Sequence, residues 1–230
     1  MNPRFSLVIP LHNEAGNILP LLERAAPVLA TFAGDYEIVL VDDGSTDSTA
    51  HEIAAAQKRW PHVHALTHEK NLGQDVALLT GLRAATGEII LTMDGDGQND
   101  PADFPALVAP LLAGTHDVMC GWRFDRHDSW LRRRMSRLAN FVRSRLLRDG
   151  LHDGGCQLRA MRREVVAALF PCKLLQAFVP AIARAAGFSV GEMKVRHHAR
   201  TRGTAHYGLR QLWWRPALAM WKLRRQLPRR

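Results

Sequence analysis

Two acidic turns carry the chemistry that residue types and spacing make readable. Asp94-Gly95-Asp96-Gly97-Gln98 sets two carboxylates one residue apart between glycines, directly after the apolar run from Glu88 to Met93. Carboxylates so placed converge on one hard cation, and Mg2+ or Mn2+ favours oxygen ligands shared with substrate phosphates. The glycines let the backbone turn tightly and approach a ligand closely. An ordinary Asp/Gly surface turn is the plain alternative. Asp42-Asp43-Gly44-Ser45 is the second turn, and it too ends a short apolar segment. Its carboxylates suit hydrogen bonds from a base or ribose, or support of a metal. Ser45, Thr46 and Asp47 beside them suit a helix N-cap. The loop Pro10-Leu11-His12-Asn13-Glu14 follows the first apolar run and is expected beside the other two. His197-His198 is no metal site on this reading, because adjacent strand residues point to opposite faces.

The elements that must position these turns alternate. Strands are expected at 5–9, 37–41, 63–67 and 88–93, and helices at 13–33, 49–59 and 76–85. That order predicts an α/β fold with a Rossmann-like, doubly wound and mostly parallel sheet flanked by helices. Ligands of such sheets sit at the carboxyl ends of the strands, where both acidic turns fall. Further strands are expected at 117–121 and, as an edge, at 189–195. Shorter helices are expected at 165–169 and 177–186, where Pro180 places the second start near Phe178 or Val179. Residues 129–148 read as a basic amphipathic helix, with Leu131, Met135, Leu138, Val142 and Leu146 along one face.

At 230 residues and 47% hydrophobic content the chain has material for one sizeable domain. No apolar stretch reaches the ~18 residues needed to span a bilayer. Met1 leads into a short apolar segment without a signal-peptide layout. Three cysteines, an odd number without metal-ligand spacing, fit a reduced intracellular compartment. Charge is divided: residues 1–121 hold 6 Lys/Arg against 16 Asp/Glu, whereas residues 194–230 hold 11 Lys/Arg and no acid. Acids around a cation suit the first part and an anionic partner or surface suits the second. Most arginines of 132–148 are expected on a solvated face. The basic helix and the tail from Leu209, with Trp213, Trp214 and Trp221, also match segments lying on anionic lipid.

Four blocks in order carry a resemblance: Val8 to Glu14, Val41 to Asp47, Asn71-Leu72-Gly73 and Met93 to Pro101. Together they resemble family 2 glycosyltransferases of the GT-A fold. Gly121-Trp122-Arg123, Asp128 to Arg133, Ser136 to Asn140, Asp153 to Cys156 and Arg162 to Val165 are similar to the polyprenyl-phosphate branch, typified by dolichol-phosphate mannose synthase and undecaprenyl-phosphate sugar transferases. The resemblance covers about residues 4 to 210. It implies a GT-A domain over 1–208 with a basic, Trp-rich tail over 209–230, and inverting transfer from a nucleotide-sugar to a polyprenyl phosphate.

By that resemblance Pro10, His12, Glu14, Val41 and Asp43 line the base and ribose pocket, with Arg200 and Arg202 also on the donor. Asp94 and Asp96 hold Mg2+ or Mn2+ and the diphosphate, with Gln98 toward the sugar. Arg123 and Arg132, with Ser136, receive the lipid phosphate. The expected location is cytoplasmic, peripheral on the inner face of the membrane, with room for a separate membrane-protein partner and no nucleic acid. The sequence departs from the family pattern where Ala205 and His206 replace a serine and a lysine, at Gln176-Ala177-Phe178, and at Asp75. A transferase with a soluble or glycan acceptor and a basic nucleic-acid-binding protein are the competing classes.

Overall fold

The computed structural model describes residues 4–124, 140–199 and 214–227. The strands are β1 (Phe5–Leu11), β2 (Tyr36–Asp42), β3 (Val63–Thr67), β4 (Ile89–Thr92), β5 (Val118–Arg123), β6 (Arg159–Arg162) and β7 (Val190–Val195). The helices are α1 (Ile18–Leu29), α2 (Thr49–Arg59), α3 (Gln74–Ala84), α4 (Phe104–Leu112), α5 (residues 140–147), α6 (Arg163–Val166), α7 (Leu175–Ala185) and α8 (Trp214–Gln226). The seven strands form one sheet in the order β3-β2-β1-β4-β6-β5-β7. All pairings are parallel except those of β6, which runs antiparallel between β4 and β5.

Alternation along the strands feeds two cores. Leu7, Ile9 and Leu11 pack with α1, α2 and α4 on one face. Val8, Val39 and Val41 pack with α3, α6, α7 and α8 on the other. The result is three layers, as period-2 strands between amphipathic helices require. β7 is an edge strand, as its alternation predicts. The expected start of the helix after Leu174 is corrected: α7 begins at Leu175 and carries Pro180 inside it. Asp75 makes the early start possible, because its carboxylate accepts from Leu174 N (2.7 Å) and Gln176 N (3.1 Å) and so caps α7 from α3. Of the predicted helix at 129–148, only residues 140–148 lie within the described part, and 140–147 are helical.

Candidate active site

The turns after β1, β2 and β4 meet at one end of the sheet. Parallel pairing puts Leu11 beside Asp42 and Val8 beside Thr92, so the three loops leave together. They are stitched to one another. Asn13 N donates to Ser45 Oγ (2.9 Å), Thr46 N to Asn13 Oδ1 (2.8 Å) and Glu14 N to Thr49 Oγ1 (2.8 Å). The Asp43 carboxylate is built into this scaffold, accepting from His68 Nδ1 (2.8 Å), Leu72 N (2.9 Å) and Gly73 N (2.8 Å). His68 therefore carries its proton on Nδ1 when neutral, and Nε2 accepts from Thr80 Oγ1. Gly95 is dictated by space, since a Cβ there would stand 2.4 Å from Leu11 Cδ2.

Asp94 and Asp96 follow β4 at the centre of the sheet. Asp94 Oδ1 accepts from Gln74 Nε2 (2.8 Å), and Asp94 N donates to Asn99 Oδ1 (3.1 Å). Asp96 Oδ1 accepts from Gln98 N (3.1 Å). Burial first, and the neighbouring Asp96 carboxylate second, push the Asp94 carboxyl up to about 7, against the pull of Arg123 and Arg159. Two carboxylates crowded into a buried turn call for a cation between them. No group of three or more His, Cys, Asp or Glu able to hold a metal exists among the described residues. The chemistry of the pair fits a hard divalent ion that shares oxygens of a ligand.

The far wall belongs to β5 and the turn before β6. Arg123 Nε and Nη2 donate to Asp153 Oδ2 (2.7 Å) and Oδ1 (2.9 Å), a bidentate pair. Glu192 on β7 receives Asp153 N (2.8 Å) and holds that turn in place. Between the walls lies a cavity of about 710 Å³. Pro10, His12, Glu14, Asp43, Asp94, Asp96, Gln98 and Arg123, all expected at the site, line it.

Val41 is the exception, because its side chain is fully buried in the core under α3 and does not reach the cavity. Arg132, Ser136, Arg200 and Arg202, with Ala205 and His206, lie outside the described residues. The cavity also takes Gln74, Gln157 and Gln176, which had no predicted role. Gln74 and Gln176 stand in stretches singled out above, so only Gln157 had no local signal. Gln98 turns its amide toward the 197–198 segment, donating to His198 O (3.2 Å). Cys156 and Cys120 are buried, and burial lifts their thiols to about 11 and about 12, far from nucleophilic thiolates.

A mostly parallel α/β sheet carries the acidic turn at its centre and Arg123 in the same cavity, and comparison with known proteins gives the class. Residues 6–170 match the family model described as glycosyl transferase family 2, and the chain belongs to that family. It is 38% identical over 208 residues to the undecaprenyl-phosphate 4-deoxy-4-formamido-L-arabinose transferase of Edwardsiella ictaluri, covering 90% of this chain and 64% of that protein. It is 37% identical over 208 residues to the dodecaprenyl-phosphate galacturonate synthase of Rhizobium johnstonii, covering 89% and 62%. The chain thus spans less than two thirds of the length of these curated relatives. Among solved structures it resembles glucosyl-3-phosphoglycerate synthase from Mycobacterium tuberculosis in complex with Mn2+, UDP-glucose and phosphoglyceric acid. The TM-score is 0.72 at 21% identity, over 99% of this chain and 81% of that one. The shared fold is the GT-A glycosyltransferase fold.

Proposed function

We propose that this protein transfers a sugar, with inversion, from a nucleotide-sugar to a polyprenyl phosphate at a membrane surface. The observation that carries this is the facing of two charges across one cavity, the Asp94/Asp96 pair on one wall and Arg123 on the other. The relatives named for undecaprenyl- and dodecaprenyl-phosphate transfer support the acceptor class.

The donor's base and ribose fit the stitched loops around His12, Asp43 and Asn71, with the diphosphate at Asp94 and Asp96. Asp94 and Asp96 would hold Mg2+ or Mn2+, which would supply Lewis-acid neutralisation of the charge on the departing diphosphate. Arg123, locked by Asp153, presents its guanidinium edge to the acceptor phosphate. A phosphate monoester has a second pKa near ~6, so its oxygen attacks the anomeric carbon without a general base. The new bond forms from the acceptor oxygen as the sugar–diphosphate bond breaks, and the electron pair leaves with the nucleoside diphosphate. One displacement of this kind inverts the anomeric centre. Arg132, Ser136, Arg200 and Arg202 belong to this proposal as the remaining phosphate contacts.

Membrane contact is supported by the surface beside the acceptor wall. Phe141 and Val142 on α5 and Leu218 and Trp221 on α8 are exposed. Arg224 donates to Leu146 O (2.6 Å) and ties the two helices together, while Arg225 lies 3.6 Å from the Trp221 ring centre. Phe124, next to Arg123, is 60% exposed under the Lys194 ammonium. Aromatic, aliphatic and basic side chains in this mixture suit an anionic lipid surface, and we place the enzyme peripherally on the cytoplasmic face. No helix among the described residues is long and apolar enough to cross a membrane.

The test is incubation with nucleotide-sugars, Mg2+ or Mn2+ and a short polyprenyl phosphate, with the product read by mass. A glycolipid made by the wild type and lost, on the order of 10³-fold or more, in Asp96→Ala supports the proposal. Sugar transfer that needs no polyprenyl phosphate sinks it.

A further inference from the structure

Gln157 lines the cavity on the strand-β6 side of the acidic turn. The antiparallel register that pairs Thr92 with Arg159 carries the residues before β6 toward those after β4, and Thr92 Oγ1 donates to Gln157 O (2.6 Å). The side chain is only 5% exposed, yet it lines the cavity. Its Nε2 donates to the backbone oxygen of Gln176 (3.4 Å). A backbone carbonyl only accepts, so this bond fixes which end of the amide is which. The other end, Oε1, is buried with no hydrogen-bond partner among the described residues.

The anchor for Nε2 has its own cause. Pro180 sits inside α7, and a proline has no N–H to donate to the carbonyl one turn earlier, which is that of Gln176. The proline leaves that oxygen available, and Gln157 takes it. Asp75 fixes the same first turn by accepting from Leu174 N and Gln176 N. Three separate elements thus hold the amide, with Oε1 left unmet at the buried edge of the cavity.

A buried acceptor left unmet is costly, and native structures keep few of them outside functional sites. What could meet it follows from position. The base-side residues His12, Asp43 and Asn71 and the diphosphate-side pair Asp94 and Asp96 take the nucleotide end of the cavity. Gln157, Gln176, Ala177 and Arg123 share the end beyond Asp94, where the group being transferred must lie. The chemistry required there is a neutral hydrogen-bond donor.

We propose that Gln157 Oε1 accepts a hydrogen bond from a hydroxyl of the transferred sugar and so selects which nucleotide-sugars are used. This rests on the proposed nucleotide-sugar donor and adds a specificity determinant to that site. A sugar lacking the hydroxyl leaves the carbonyl unmet and is rejected, as sites built to bind a hydroxyl generally reject its deoxy analogue.

The experiment titrates wild type and Gln157→Met with UDP, GDP and a panel of their sugars, including deoxy-sugars, in Mn2+, and records the melting midpoint of each protein. In the wild type one sugar is expected to bind more tightly than its parent nucleoside diphosphate. Gln157→Met weakens that sugar about tenfold, as loss of one hydrogen bond does, and leaves the nucleoside diphosphate unchanged. Its midpoint stays level or rises, because the unmet acceptor is gone. Pro180→Ala returns the Gln176 oxygen to the helix and shows the same selective loss in smaller measure; it carries the comparison should Gln157→Met fail to fold. Equal weakening of nucleoside diphosphate and sugar marks a scaffolding role and overturns the proposal, as does an unchanged sugar affinity. A wild type that binds nucleoside diphosphates without distinguishing any sugar overturns it while the donor class stands. A wild type that binds no nucleotide overturns both.

Discussion

The two walls of the cavity are built on different principles. The wall we assign to the donor comes from three loops that follow parallel strands, each close in sequence to the strand that aims it, and bonded to the others by short side chains such as Asn13, Ser45 and Asp43. The wall we assign to the acceptor comes from β5 and from the approach to the antiparallel strand β6. Arg123 takes its orientation from Asp153, Asp153 from Glu192, and Gln157 from Gln176. The first wall is redundant, with many bonds fixing each loop. The second centres on one ion pair, the two-point bond of Arg123 to Asp153, so one substitution there moves a functional group without unmaking the scaffold.

That difference is open to direct attack. Arg123→Lys keeps the charge but cannot form the two-point bond to Asp153. The expected outcome is a fall of roughly ten- to a hundredfold in kcat/KM for a polyprenyl phosphate, with nucleotide-sugar affinity unchanged, measured by steady-state kinetics and calorimetry. An equal loss of donor affinity would mean that the walls are not separable.

Asp94 sharpens the other side of the comparison. Its carboxyl holds a proton to about pH 7 in the folded protein, against 3.8 for an ordinary aspartate. As pH rises from about 4 to 7 the unfolded chain therefore releases the proton first, and this group withdraws stability across that window. In metal-free protein Asp94→Asn should melt several degrees higher than wild type at pH 8 and show little gain at pH 4. Addition of Mn2+ should close the gap by stabilising the wild type alone.

The smallest effect is expected at Asp75→Ala. Loss of the bonds to Leu174 N and Gln176 N removes the side-chain cap that Asp75 gives α7, a cost of about 1 kcal/mol. A drop of a few degrees in the melting midpoint is the expected outcome, with UDP affinity untouched.

The donor wall was the legible part of the sequence. Asp42, Asp43, Asp94 and Asp96 stand at the ends of apolar runs, and a carboxylate beside a glycine at a strand end advertises itself. The parallel half of the sheet was legible for the same reason, since β1, β2 and β4 are centred on the apolar runs Leu7-Val8-Ile9, Ile38-Val39-Leu40-Val41 and Ile89-Ile90-Leu91. Strand β6 was not. Arg159-Ala160-Met161-Arg162 is four residues long with two arginines, and it is a strand because β4 and β5 leave a gap it fills. Arg159 is buried there and donates to Gly154 O, a compensation that no local pattern announces. Helix α4, interrupted in pattern by Pro105 and Pro110, was likewise silent. Val41 misled in the opposite way. It neighbours the right aspartates in sequence, but alternation turns its side chain to the core beside Gly81. Pro180 marked a helix start by propensity, and the Asp75 cap overrode it from ninety-nine residues away.

The place of β6 between β4 and β5 also sets an order of assembly. Strands β1 to β4 contact one another within the first 92 residues, so the donor loops can come together as soon as that length of chain is available. β6 lies between β4 and β5 and pairs with both, and it arrives almost forty residues after β5 in the sequence. Contacts of such separation form late, after loop closure has been overcome. A folding chain should therefore assemble the loops around Asp43 and Asp94 before it closes the wall that carries Arg123, because that wall waits for β6 to join β5 to the sheet.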